Sequence, residues 1–340
     1  MKKLQLAQLP TRIDRIKTPP TEAALWIKRD DQTGLELSGN KVRKLEYALQ
    51  EALEQKADTV ITCGGIQSNH ARATAAACAR LGLRCILLLQ DDGQRKPSGN
   101  YFLDTLLGAE TVFLSESQYQ NELDEILQNI ADVQNAQGHT AYTLPIGASN
   151  GIGTFGYYAA FAEILAQEKE AGVVFDTIVC AVGSGGTYAG LLFGAISAGS
   201  NKKIVGIPIA KDAAYFTDRV LCLSHDFSAY LPQKLTCPPE QIRLIDGWTG
   251  PGYAKNTEED FAFIRTFARN EGIVLDPVYT GKAMRGLYES LQQGHPHVAG
   301  AKNILFIHTG GAFGLFGKEE RFLCNGKKPT ANKRQKSGCQ

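Results

Sequence analysis

The sequence predicts an α/β protein of two lobes built on parallel-rich, twisted sheets flanked by helices, and three observations predict it. From residue 58 onward, short runs of valine, isoleucine and leucine alternate with longer segments of helical period, the pattern of strand–helix–strand units. Each short run is closed by glycine or polar turn residues, where a strand hands over to a helix. The 340 residues exceed what one ordinary core accommodates, so two lobes with a cleft between them are expected.

Taken in order, the strand candidates are Thr59–Cys63, Arg84–Leu89, Thr111–Leu114 and Thr140–Leu144, which suffice for one small sheet. Thr177–Val182, Lys203–Ile209, Ile242–Asp246 and Asn303–His308 follow. Between Lys41 and Leu53 the apolar positions Val42, Leu45, Leu49 and Leu53 share one helical face, which places Lys41 in the first turn of a helix. Alanine-rich Ser68–Leu81 reads as a second helix, whose start sets Ser68, Asn69 and His70 beside free backbone N–H groups.

Composition narrows the function. A formal charge of +1, from 36 basic and 35 acidic residues, argues against nucleic acid or a membrane surface as partner and favours a small polar substrate. The chain contains neither an apolar run long enough to span a bilayer nor a signal-peptide start, so a cytoplasmic location is expected. Eight cysteines without a Cys-x-x-Cys pair, and six histidines without ligand spacing, predict reduced thiols and no metal. Cys63 and Cys180 close strand-like runs and read as core filling. Residues 325–340 carry five basic side chains and no acid, the composition of a disordered tail.

Two clusters carry chemistry. Lys41 lies within Ser38-Gly39-Asn40-Lys41-Val42-Arg43-Lys44, and a lysine desolvated beside such groups is suited to covalent union with a carbonyl compound, because its amine is freed of its proton. Gly183-Ser184-Gly185-Gly186-Thr187 follows a strand and opens a helix, so successive N–H groups and two hydroxyls can surround a phosphate. The turn is not a nucleotide P-loop, since no Lys-Ser/Thr follows the glycines. A literal dinucleotide fingerprint occurs at Gly151-Ile152-Gly153-Thr154-Phe155-Gly156, but Asp176 precedes the next strand instead of ending it. No carboxylate is then poised for a ribose, and the stretch reads as a close-packed crossover helix. In an open parallel sheet the carboxyl ends of the strands face the ligand crevice, which would gather Lys41, Ser68, Gly183, Tyr279 and Thr309 around one cleft.

Together, these segments resemble the D-cysteine desulfhydrase and 1-aminocyclopropane-1-carboxylate (ACC) deaminase family of pyridoxal-phosphate enzymes, within the tryptophan-synthase-beta-like fold type II. The carriers are Trp26-Ile27-Lys28-Arg29-Asp30-Asp31, Gly39 to Glu46, Gln67-Ser68-Asn69-His70, Asp276 to Lys282, and His308-Thr309-Gly310-Gly311. The resemblance spans Leu25 to Gly317. It implies a large cofactor-binding domain (residues 1–50 and 161–324), a small mobile domain (51–160) and a homodimer. By the same resemblance Lys41 carries pyridoxal 5'-phosphate covalently, and Gly183, Ser184, Gly185, Gly186 and Thr187 hold its phosphate. Asn69 bonds the ring hydroxyl, Tyr279 lies against the ring, Thr309 partners the pyridine nitrogen, and Gln67, Ser68 and His70 form the substrate-carboxylate loop. Tyr253 matches a second active-site tyrosine, although the following Ala254-Lys255-Asn256 departs from the family's run.

Thr280 stands where the deaminases have a glutamate, and Thr309 where they have a leucine. Cyclopropane opening needs a strong electron sink, which a glutamate supplies by keeping the ring nitrogen protonated. A hydroxyl gives a weaker sink, adequate when the group on Cβ leaves readily. The expected reaction is α,β-elimination on D-cysteine, with Lys41 as base and Tyr279 or Ser68 delivering a proton. L-cysteate sulfo-lyase and ACC deaminase are the alternatives within the class; a non-catalytic cofactor-binding protein is the alternative outside it.

Overall fold

The computed structural model describes residues 1–91, 93, 95 and 97–323, so the basic segment 325–340 lies outside the described residues. Ile13–Arg15 (β1) pairs antiparallel with Ala24–Lys28 (β2), and helix Lys41–Glu54 (α1) follows. Next come Thr59–Gly65 (β3), Asn69–Leu81 (α2), Arg84–Gln90 (β4), Gly99–Leu106 (α3) and Glu110–Leu114 (β5). Glu116–Asn121 (α4), Leu123–Ala136 (α5) and Ala141–Thr143 (β6) complete the first lobe. Its four strands form one parallel sheet in the order β5-β4-β3-β6, assembled from the first four expected strands.

The remaining chain alternates helix and strand: Gly151–Ala171 (α6), Thr177–Val182 (β7), Gly186–Ser197 (α7), Lys203–Pro208 (β8), Ala213–Ser228 (α8) and Arg243–Leu244 (β9). Glu258–Glu271 (α9), Thr280–Gln292 (α10), Asn303–Ile307 (β10) and Glu319–Leu323 (α11) close it. Its strands join the N-terminal pair in a sheet ordered β1-β2-β10-β7-β8-β9, parallel except at β1. Strands β7 and β10 are buried along nearly their whole length, as expected of a parallel sheet covered on both faces.

Strands β1 and β2 are additions to the expected set. Ala24–Lys28 runs on into the charged Arg29-Asp30-Asp31, yet Lys28 is fully buried. Its Nζ donates to Glu163 Oε1 (2.6 Å), Gln167 Oε1 (2.6 Å) and the Thr11 carbonyl (3.1 Å). Paired and hydrogen-bonded in this way, a charge can be held inside. At the other edge, the expected Ile242–Asp246 contracts to the two residues of β9.

Helix α6 accounts for the glycine fingerprint. A Cβ on Gly156 would lie 2.6 Å from the Arg43 carbonyl carbon, so the glycine lets α6 seat directly on α1. One helix thus supports the element that carries Lys41, as its reading as a close-packed crossover requires. The expected domain boundary after residue 160 falls within this helix.

Candidate active site

Lys41 is the first residue of α1, and buried ion pairs hold that turn in place. Arg43 donates to both oxygens of Asp30 (2.8 Å each) and to Glu163 (2.9 Å), while Tyr157 Oη donates to Asp30 at 2.5 Å. Burial alone would raise the Asp30 carboxyl, but the charge and hydrogen bonds of Arg43 outweigh it and hold the group at about 2. Just before the helix, the Asn40 amide N donates to the Thr309 carbonyl (3.1 Å), tying Lys41 to the end of β10.

Facing Lys41, the turn between β7 and α7 presents Gly183, Ser184, Gly185 and Thr187 to a cavity also lined by Asn40, Asn69, Tyr279 and Thr309. Gly185 has φ of +88°, a conformation that glycine adopts without cost; it turns the chain so that the α7 N–H groups open toward the cavity. Asn40 Nδ2 donates to Thr187 Oγ1 (2.9 Å), and Ser184 Oγ lies 2.8 Å from Ser149 Oγ.

Behind this turn lies Lys44, fully buried, whose Nζ donates to Ser149 Oγ (2.9 Å) and the Gly147 carbonyl (3.1 Å). Arg219 donates to the Ser149 carbonyl at 2.6 Å. A Cβ on Gly186 would lie 2.7 Å from Lys44 Nζ, so absence of a side chain there admits the cation to the turn. Burial, and then the like charges of Lys41 and Arg219, hold Lys44 well below the ordinary amine range. Among the described residues no carboxylate bonds this ammonium group. An anion bound beside this amine and the helix N-terminus would favour its charged form, so the site is suited to an anion.

Burial also lowers Lys41, with Asp276 opposing, to about 8. About a tenth of its amine is therefore unprotonated at pH 7, against well under a thousandth for an ordinary lysine. Asp276 itself caps α10: its carboxylate accepts from the N–H groups of Val278, Tyr279 and Thr280 and from Thr280 Oγ1 (2.7 Å). The Thr280 hydroxyl, buried and bound to Asp276, turns away from the cavity, whereas Thr309 lines it. Tyr279 Oη is 2.5 Å from Tyr253 Oη. Burial and the neighbouring Tyr253 hold the Tyr279 phenol well above its usual range.

The small-sheet side contributes the loop after β3. Asn69 reaches the cavity. Ser68 caps α2, its Oγ accepting from the Ala71 amide at 3.1 Å. Gln67 is engaged elsewhere, donating to the Ser98 carbonyl and accepting from the Asn100 amide, both at 3.0 Å. His70 is buried with Nε2 2.8 Å from Thr62 Oγ1, and burial holds it well below its usual range, so it is neutral.

The fold thus brings Lys41, Asn69, Gly183, Ser184, Gly185, Thr187, Tyr279 and Thr309 to one cavity. Gly186 is not among the lining residues, its open side facing Lys44 and Ser149 behind the turn, and Tyr253 meets the cavity only through Tyr279. Ser68, Gln67 and His70 are not among the residues lining it. Sequence reasoning did not single out Asn40, Lys44, Ser149 or Arg219. Lys44 alone left a trace: it lies three residues after Lys41, on the same helical face.

A lysine of lowered pKa at a helix start, opposite an anion cradle between two parallel-sheet lobes, defines an enzyme that binds a phosphorylated carbonyl cofactor. The family model for pyridoxal-phosphate-dependent enzymes matches residues 4–310, and the chain belongs to that family. An Arabidopsis thaliana mitochondrial protein named as a bifunctional D-cysteine desulfhydrase/1-aminocyclopropane-1-carboxylate deaminase is 41% identical, over 93% of this chain and 80% of its own. A D-cysteine desulfhydrase of Yersinia enterocolitica is likewise 41% identical, over 86% of this chain and 88% of its own. The solved structure of an ACC deaminase homologue superposes with a TM-score of 0.85 at 38% identity, covering 95% of each chain. The cofactor is pyridoxal 5'-phosphate, and the residues fit it. The Gly186 opening and the buried Lys44 suit a phosphate, and the depressed Lys41 suits an aldehyde.

Proposed function

We propose that this chain removes hydrosulfide from D-cysteine, giving pyruvate, hydrogen sulfide and ammonia with uptake of one water. The observation that carries the reading is the Thr280–Asp276 bond beside a cavity lined by Thr309: with Thr280 engaged elsewhere, Thr309, the residue the resemblance sets at the ring nitrogen, would offer it a hydroxyl. That choice suits a good leaving group better than a strained carbon ring. The names of the Arabidopsis and Yersinia relatives support it.

When bound, the cofactor supplies an aldehyde for the substrate amine and a ring that withdraws electrons from Cα. Lys41, poised near 8, anchors the cofactor and accepts the Cα proton. Asn40, Lys44, Ser184 and Thr187 would orient the phosphate, and Asn69 the ring. The Tyr253–Tyr279 pair, kept protonated, would hold a proton for the departing sulfur; Ser68, at the α2 N-terminus, would help bind the substrate carboxylate. Gln67 and His70 would shape that loop from behind.

The reading extends to a homodimer in the cytoplasm whose small domain, residues 51–160, closes over the cleft. Among the described residues no helix is long and apolar enough to cross a membrane, and no group of three or more His, Cys, Asp or Glu gathers to hold a metal.

Assaying pyruvate, 2-oxobutyrate, sulfide and sulfite from D-cysteine, L-cysteine, L-cysteate and ACC tests the proposal. Sulfide with pyruvate from D-cysteine supports it. Dominant sulfite from L-cysteate, or 2-oxobutyrate from ACC, replaces the substrate assignment, and no product from any of them favours a non-catalytic binder.

A further inference from the structure

Asn69 can serve a ring oxygen only if its amide points the right way, because one end donates and the other accepts. The structure contains a chain of hydrogen bonds whose polarity settles that question. It begins at Arg72 on α2, a fully buried guanidinium that can only donate. Arg72 Nε donates to Asn100 Oδ1 at 2.9 Å, while its other nitrogens hold the carbonyls of Glu36 and of Ser38, the latter at 2.8 Å.

Asn100 lies on α3 and is fully buried. With its oxygen taken by a donor-only group, its nitrogen must face the opposite way. Asn100 Nδ2 donates to the Gln67 carbonyl, an acceptor-only group, at 3.0 Å, and to Asn69 Oδ1 at 2.9 Å. Both ends of Asn100 are thereby determined by partners that cannot exchange roles. Asn69 Oδ1 is consequently occupied, and its Nδ2 is the end left for the cavity that Asn69 lines.

The anchor is well braced. The Phe313 ring lies 5.1 Å from the Arg72 guanidinium, a cation–π distance. Asp104, one turn beyond Asn100 on α3, is fully buried with neither carboxylate oxygen hydrogen-bonded among the described residues. Burial, opposed by the nearby Arg72, raises the Asp104 carboxyl to about 8, so near neutrality it is mostly uncharged and leaves the guanidinium's bonds to Asn100 and the two carbonyls.

We propose that Asn100, oriented by Arg72, is a positioning residue that fixes the Asn69 amide with its N–H toward the ring oxygen of the cofactor. Asn100 touches neither cofactor nor substrate and acts through Asn69. The inference rests on the proposed role of Asn69. It adds a consequence: the protonation of the cofactor at Lys41 depends on a residue behind the small-sheet wall. A donor at the ring oxygen spreads its negative charge and weakens its hold on the adjacent proton, whereas an acceptor there strengthens that hold.

The test replaces Asn100 by aspartate, which keeps the bond to Arg72 but offers Asn69 an acceptor, so that the Asn69 amide turns over. For the holoenzyme, Asn100→Asp should weaken pyridoxal-phosphate affinity about tenfold and raise the pH midpoint of the bound-cofactor absorbance by about one unit. In an Asn69→Ala background the same change should add nothing to either readout. A midpoint and affinity unchanged from the parent overturn the proposal, as does an effect that persists in full without the Asn69 amide. Asn100→Ala, run through the same cycle, decides the matter should the aspartate variant not fold. A parent chain that takes up no cofactor at Lys41 sinks the proposed function itself, an outcome visible before any variant is made.

Discussion

The two walls of the cavity are built on opposite principles. On the large-sheet side, the 183–187 turn is backed by the buried Lys44 amine, whose charged form burial disfavours, and by helix N–H groups, so an anion bound there would restore the charge and be held electrostatically. On the small-sheet side, Asn69, Asn100 and Gln67 are neutral amides already bonded to one another, so that wall supplies direction in place of charge. Under the proposed function, the contrast teaches that holding the cofactor and aiming it are separable tasks, assigned to the two sides of the cavity.

The largest test of that division is Lys41, which joins both walls. Lys41→Ala should lower turnover by at least about 10³-fold and leave no covalent cofactor by mass spectrometry of the intact protein; a yellow, active variant would contradict it. Next in size, Tyr253→Phe removes one hydroxyl of the 2.5 Å tyrosine pair and should lower kcat about 10²-fold. Cofactor affinity, read by absorbance titration, should stay unchanged, so a loss of binding would move Tyr253 to the holding side. Lys44→Met keeps the volume and deletes the charge. It should weaken cofactor binding roughly 10- to 100-fold, the worth of a charge-assisted hydrogen bond, while kcat at saturating cofactor changes far less.

The smallest effect concerns the empty protein. Lys41 is lowered from 10.5 to about 8, so between those values the unfolded chain binds more protons than the folded one and stability rises with pH. Below about 8 the protein carries the full cost of this lysine, about 1–2 kcal/mol after allowing for its partial exposure to the cavity. Lys41→Met should therefore stabilise the cofactor-free protein at pH 7 in urea melts, with the advantage shrinking toward pH 10.5.

Much of this arrangement was legible in the chain. The strands from Thr59 to Thr143 and the core strands Thr177–Val182 and Asn303–Ile307 stand out because each is an apolar run bounded by turn residues. Lys41 and the 183–187 turn stand out because a strand or loop hands over to a helix at each. What stayed hidden were polar groups whose surroundings come from distant segments. Gln67 sits in the motif yet spends its amide on Ser98 and Asn100, and His70 turns back to Thr62. Lys44 shows its buried place only where Ser149 and Gly147, more than a hundred positions away, close over it.

Taken alone, the amino-acid order determined the alternating architecture, the helix that begins at Lys41 and the glycine turn opposite, because hydrophobic period and turn chemistry act over a few residues. Only the tertiary structure decided which charges lie inside and which way each amide faces. Lys28 finds Glu163 across 135 positions, and Asn40 finds Thr187 across 147; whether a polar group is satisfied depends on partners that folding alone brings near.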